Sequence, residues 1–181
     1  MNMSSKGRRR VRTAALAATA AIAVGGITAA VAPAASAAGG PPECRTVDVG
    51  AQLKAGSPGA GQRYATVVLT NTSAHTCTVT GYGGLALLGA PAQGVPTDLR
   101  RVPSPAPSTV PLVPGASARS LLHWTVVPAT DEGSVCEPTA RTVVVTPPDE
   151  TTSLLRSWSL GVVCQHGRIF QNAYVAGSAA F

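Results

Sequence analysis

Three observations predict an all-β sandwich of about seven to nine short strands. Runs rich in Val, Thr and Leu recur between turn residues, no long stretch carries a 3.6-residue apolar period, and 19 Gly and 15 Pro punctuate the chain. Glu, Lys and Gln are sparse, so little in the composition favours helix. Closure into a barrel satisfies the same pattern.

The first 37 residues are of another kind. Lys6, Arg8, Arg9, Arg10 and Arg12 make a basic start without acids, an apolar stretch runs from Ala14 to Ala32, and Pro33-Ala34-Ala35-Ser36-Ala37 places small residues at the −3 and −1 positions. This is the three-part pattern of a secretory signal peptide, cut between Ala37 and Ala38, with residues 38–43 as a short linker. A retained membrane helix is disfavoured because Ala and Gly contribute little insertion energy. Arg12 occupies a place where the twin-arginine motif wants an apolar residue, which favours the general secretory route. Pro42 and Glu43 leave no lipid-attachment box before Cys44, and neither a sorting signal nor a second apolar span follows. The expected product is secreted, extracellular and without a stable membrane anchor.

Cleavage also removes the basicity. The whole chain has a net charge of +6, but the leader holds five of the 14 basic residues and none of the 8 acidic ones. What remains is nearly neutral, with Arg100-Arg101 its only adjacent basic pair. A phosphate-binding surface needs clustered Lys and Arg, so nucleic acid is excluded as a partner.

The strands follow in order. Residues 45–53 alternate, with Val47, Val49, Ala51 and Leu53 on one face, and Gly56-Ser57-Pro58-Gly59 makes a loop. Arg63 to Thr70 is a strong strand ending at the turn Asn71-Thr72-Ser73. Thr76 to Thr80 places Cys77 and Val79 on one face, and Leu85 to Leu88 is a fourth strand. Seven prolines between 91 and 114 forbid a continuous ladder there and leave one short edge strand near Val110 to Val113. Ser117 to Val127 is the longest strand, with Leu122, Trp124 and Val126 facing one way and Leu121, His123 and Thr125 the other. Thr142 to Thr146 reads as buried and stops at Pro147-Pro148. Leu154 to Cys164 carries Trp158, Leu160, Val162 and Cys164 on a single face, and Arg168 to Val175 is the last candidate. The β domain spans 44–164, with 165–181 as a C-terminal strand or tail. Trp124 and Trp158 share faces with aliphatic neighbours, which makes them core residues and not sugar-stacking ones.

Cys44, Cys77, Cys136 and Cys164 have no C-x-x-C spacing, so neither a zinc knuckle nor a redox pair is indicated. Outside the cell an even number of thiols becomes disulfides. Four cysteines allow three connectivities, among which sequence alone does not choose; sequential pairing, Cys44–Cys77 and Cys136–Cys164, is preferred. A catalytic cysteine beside His75 or His166 would first have to escape oxidation.

These residues together resemble a family of small secreted actinobacterial proteins, the domain of unknown function 4232. The likeness rests on Cys44; on Thr70-Asn71-Thr72-Ser73, Cys77 and Gly81-Tyr82-Gly83-Gly84; on Pro114-Gly115-Ala116-Ser117-Ala118 and Leu122-His123-Trp124; and on Cys136, Val143 to Pro148 and Cys164. Gly83 stands where the family usually has proline. The resemblance implies an immunoglobulin-like antiparallel β-sandwich outside the cell and brings no activity and no catalytic residues.

Chemistry is not evident. No Gly-x-Ser-x-Gly elbow is present, and His75, His123 and His166 lack zinc-site spacing. His123 reads as a sheet-surface histidine. Asp131-Glu132 and Asp149-Glu150 are the raw material of glycoside hydrolysis, but their turn context makes them solvated loop acids; no Asp-x-Asp-x-Asp loop supports calcium. Asn71-Thr72-Ser73 is a glycosylation sequon that a tight turn explains equally. No catalytic, metal or cofactor residues are assigned, and no cofactor is expected. The expected function is non-enzymatic: a secreted binding or interaction module for an extracellular protein or a cell-envelope polymer. The alternative is a hydrolase or protease inhibitor using the Pro-rich loop 91–114, and a third option is a hydrolase with an unfamiliar site.

Overall fold

A computed structural model describes residues 39–134, 136 and 138–180. The predicted leader and its cleavage site at Ala37 and Ala38 lie outside the described residues. The described residues form twelve strands and one 3-10 turn joined by loops, and no described helix is long and apolar enough to cross a membrane.

The 3-10 turn is Thr46–Asp48, followed by β1 (Val49–Ala55), β2 (Gln62–Asn71), β3 (Cys77–Thr80) and β4 (Gly84–Leu88). Then come β5 (Gly94–Val95), β6 (Asp98–Val102), β7 (Thr109–Leu112) and β8 (Ser117–Thr125). The chain ends with β9 (Thr142–Thr146), β10 (Leu154–Ser157), β11 (Arg168–Asn172) and β12 (Val175–Ala176). One sheet runs β1-β2-β8-β11-β6, with β12 also on β8; a second runs β10-β9-β4-β5; β3 and β7 pair separately. The all-β class is as predicted. The count exceeds nine, and one pair, β6 on β11, is parallel where an antiparallel sandwich was expected.

Alternation builds the core. Ala65, Val67 and Leu69 of β2, Leu122 and Trp124 of β8, Leu85 and Leu87 of β4 and Val143 and Val145 of β9 join one buried cluster. Trp124 and Trp158 sit inside it with ring centroids 5.2 Å apart. Ile169, Gln171 and Tyr174 are buried too, so the segment after Cys164 contributes to the core.

Four local predictions fail for identifiable reasons. Residues 45–48 are not strand, because the Asp48 carboxylate turns back to the Arg45 amide at 3.1 Å and closes the 3-10 turn; Val47 is consequently 78% exposed. The passage 91–114 holds three strands, not one, since Pro96 and Pro103 fall just outside β6 and Pro111 lies opposite Thr78 in a two-stranded pair. The longest part of the proposed inhibitory loop free of ladders is 103–108. The strand predicted over 154–164 stops at Ser157, because the carbonyls a ladder would need are taken by indoles: Trp158 Nε1 donates to Gly161 O at 2.8 Å and Trp124 Nε1 to Val162 O at 3.0 Å. The strand predicted over 168–175 is split into β11 and β12, with Tyr174 N donating to Gly81 O at 2.7 Å between them.

The disulfides are Cys44–Cys77 and Cys136–Cys164, spanning 33 and 28 residues. The first ties the segment before β1 to β3, and the second ties the β8–β9 loop to the segment before β11. Loop closure of this length limits the unfolded chain by about 4 kcal/mol per bond.

The lateral margins of the two sheets are joined in different ways. On one side Arg156 Nε of β10 donates to Ala51 O of β1 at 2.6 Å. On the other the chain itself passes from β5 to β6 through Thr97, whose hydroxyl accepts from Leu87 N at 3.0 Å and donates to Val95 O at 2.9 Å.

Candidate functional site

One end of the domain is built from the β1–β2 hairpin loop, the loop between β8 and β9, and the segment between β10 and β11. Arg63 and Tyr64 enter at the start of β2, opposite Trp124 and His123 of β8. The hairpin, the ends of β2 and β8 and the segment between β10 and β11 surround a recess of about 250 Å³ whose lining includes Pro58, Arg63, Tyr64, Trp124, Ser159 and Leu160. Trp124, only 1% exposed, forms part of this lining and is fixed by its bond to Val162 O. Arg63 makes one hydrogen bond, Nη1 to Gln62 O at 3.2 Å, and no ion pair among the described residues. No carboxylate lines the recess. Its polar edge therefore offers a guanidinium and the Ser159 hydroxyl against an apolar wall.

The same end is locked. Gln165, His166 and Gly167 take three consecutive left-handed conformations (φ 55, 58 and 76°). At Gly167 a side chain would collide with the Pro96 carbonyl, so this turn requires glycine. The turn aims the amides of Gln165 and His166 at one point, where the Glu132 carboxylate accepts from them at 2.7 and 2.5 Å and from Ala129 N at 2.6 Å. These backbone donors hold the Glu132 carboxyl below the usual glutamate range. His166 Nε2 lies 3.1 Å from Asp131, and the Cys136–Cys164 disulfide closes the loop beside it.

The expected site residues sort accordingly. Glu132 is not a solvated loop acid, since its side chain is 4% exposed and spent on backbone amides. Glu150 behaves similarly, accepting from Thr46 N at 3.0 Å and Thr46 Oγ1 at 2.7 Å, which lowers its pKa. Their neighbours Asp131 and Asp149 are exposed. His75 is half-exposed 3.9 Å from Asp48, and Asp48 is itself held low by Arg45. His123 lies on the outer sheet face as predicted, with partial burial lowering its pKa. Its ring stacks on Phe170 at 4.7 Å and on Tyr64 at 6.0 Å, so aromatic faces there are turned on one another. Asn71 is buried: its amide donates to His75 O and Leu112 O, both at 2.8 Å, and its oxygen accepts from Ser73 N and Oγ. The turn reading of the sequon holds, because no atom of that amide is left to modify. No cluster of three or more His, Cys, Asp or Glu able to hold a metal occurs among the described residues.

A second, more polar cleft of about 360 Å³ lies at the other end, between Tyr82, Arg101, Asp149 and Glu150. Arg101 packs over the Tyr82 ring at 5.3 Å, and Tyr82 donates to Val102 O at 2.7 Å. Beneath it Gly83 presses on the Thr146 carbonyl, which an added Cβ would meet at 2.5 Å. Glycine at this position is thus a packing requirement of this chain. Mixed charge and internal pairing make this cleft the weaker candidate. The Arg63–Ser159 recess was not legible in the sequence; the one signal was a cation and an aromatic beside a Gly-Pro loop.

No curated protein and no solved structure matches the chain. A family match does exist, over residues 44–172, and it takes in both disulfides, the Asn71 turn, the tryptophan strand and β11. The chain belongs to the family described as a domain of unknown function (DUF4232).

Proposed function

We propose that this protein is an exported, non-enzymatic binding module that engages an extracellular protein or a cell-envelope polymer through the end carrying the Arg63–Trp124–Ser159 recess. The observation that carries the reading is an open recess whose Ser159 segment is fixed in advance by the two indole hydrogen bonds, Trp124 to Val162 O and Trp158 to Gly161 O. A surface already ordered loses little entropy when a partner arrives. The glutamates that chemistry would need are engaged in holding loops, which favours recognition over catalysis. Export rests on the leader pattern and on the two disulfides, which persist in oxidising compartments.

Capture from whole culture envelopes tests this, using immobilised protein beside a Ser159→Trp variant. Ser159 is exposed, so the indole should fill the recess without disturbing the core. Retention by the native protein and loss by the variant is expected. Equal retention would place recognition elsewhere, and no retention at all would count against a binding module.

A further inference from the structure

The geometry points to a ligand class for this recess: a ring-sized apolar body carrying one carboxylate. This rests on the reading of that end as the binding surface. The argument is one of complementarity. Leu160 and Pro58, above the nearly covered Trp124 ring, supply an apolar wall suited to a flat or cyclic body. At the rim stand the Arg63 guanidinium and the Ser159 hydroxyl, neither of which forms a hydrogen bond to another side chain. Arginine offers parallel N–H donors that match a carboxylate two to two, and such charged bonds are stronger than neutral ones. A cationic ligand would meet Arg63 with no acid to offset it. A neutral sugar would find fewer acceptors than its hydroxyls need, since no carboxylate or side-chain amide lines the wall. An anion attached to an apolar ring satisfies both halves of the recess together.

Both tryptophans of the chain report on this site, because each indole N–H is bonded to a carbonyl of the segment that carries Ser159. Two-dimensional NMR titration of the native protein with phenylacetate, and separately with its neutral isostere phenylacetamide, reads the two indole signals directly. Saturable shifts of the Trp124 indole at millimolar phenylacetate are expected, with the amide at least tenfold weaker. Arg63→Gln should lower phenylacetate affinity about tenfold, Arg63→Lys should fall between it and the native protein because it keeps the charge but loses the paired donors, and Ser159→Trp should abolish binding. If Arg63→Gln fails to fold, the comparison of acid and amide on the native protein together with Ser159→Trp still decides. Equal binding of acid and amide, indifference to Arg63→Gln, or shifts confined to other residues would overturn the assignment. Envelope retention that is lost in Ser159→Trp while phenylacetate never binds would overturn the ligand class and leave the binding surface standing.

Discussion

Replacing Asn71 by alanine should cost about 3 kcal/mol of folding stability. The side chain joins the end of β2 to two other segments, through donors to His75 O and Leu112 O and acceptance from Ser73. Losing the buried bond to the Leu112 carbonyl, which keeps its ladder partner Cys77, costs about 1 kcal/mol, and losing that to His75 O, which keeps the Ser73 hydroxyl, costs about as much. Breaking the turn to Ser73 adds about 1 kcal/mol. Against a typical total of about 5–15 kcal/mol this is a large fraction. Urea unfolding with both disulfides intact measures it, reading the midpoint at constant slope. Asn71→Asp separates the two halves of the network. It keeps the acceptor toward Ser73 but turns a carboxylate on two carbonyls, and should be at least as destabilising as alanine. A loss under 1 kcal/mol for both variants would refute the view that this amide fastens the turn.

Two further outcomes follow from buried groups. The Tyr174 hydroxyl has no hydrogen-bond partner among the described residues, and burial drives its pKa upward, so Tyr174→Phe should raise stability by about 1 kcal/mol by calorimetry; a loss of stability would reveal a partner for that hydroxyl. The Glu132 carboxyl is depressed in the fold, so its contribution is full above the ordinary glutamate value of 4.5 and disappears as pH falls through the lower folded value. Amide shifts of Ala129, Gln165 and His166 should therefore share one inflection below pH 4.5, and an inflection at or above it would refute the clasp.

Sequence pattern revealed those parts of the fold that a single periodicity governs. β8 is a nine-residue alternation from Ser117 to Thr125, and its inward and outward residues were assignable at once. Local pattern failed where a distant side chain decides the backbone. The apolar alternation of Trp158, Leu160 and Val162 looks like a strand, but two indoles capture the carbonyls and bend it into a loop. Prolines mislead in the opposite sense, since Pro96 and Pro103 bound β6 and do not prevent it. The recess was hidden for a similar reason: Arg63 and Ser159 are almost a hundred positions apart, and neither belongs to a motif. Glu132 looked like any loop acid because the turn that claims it lies across a disulfide.

The bond from Arg156 to the Ala51 carbonyl has a consequence for life at high concentration. An open sheet edge is a template on which a neighbouring chain can add a strand and begin a fibre. Here a charged side chain occupies one margin, and at the other the polypeptide turns from sheet to sheet at Thr97. Each device covers part of an edge on which a second copy would otherwise add a strand, which works against polymerisation of the protein with its own copies.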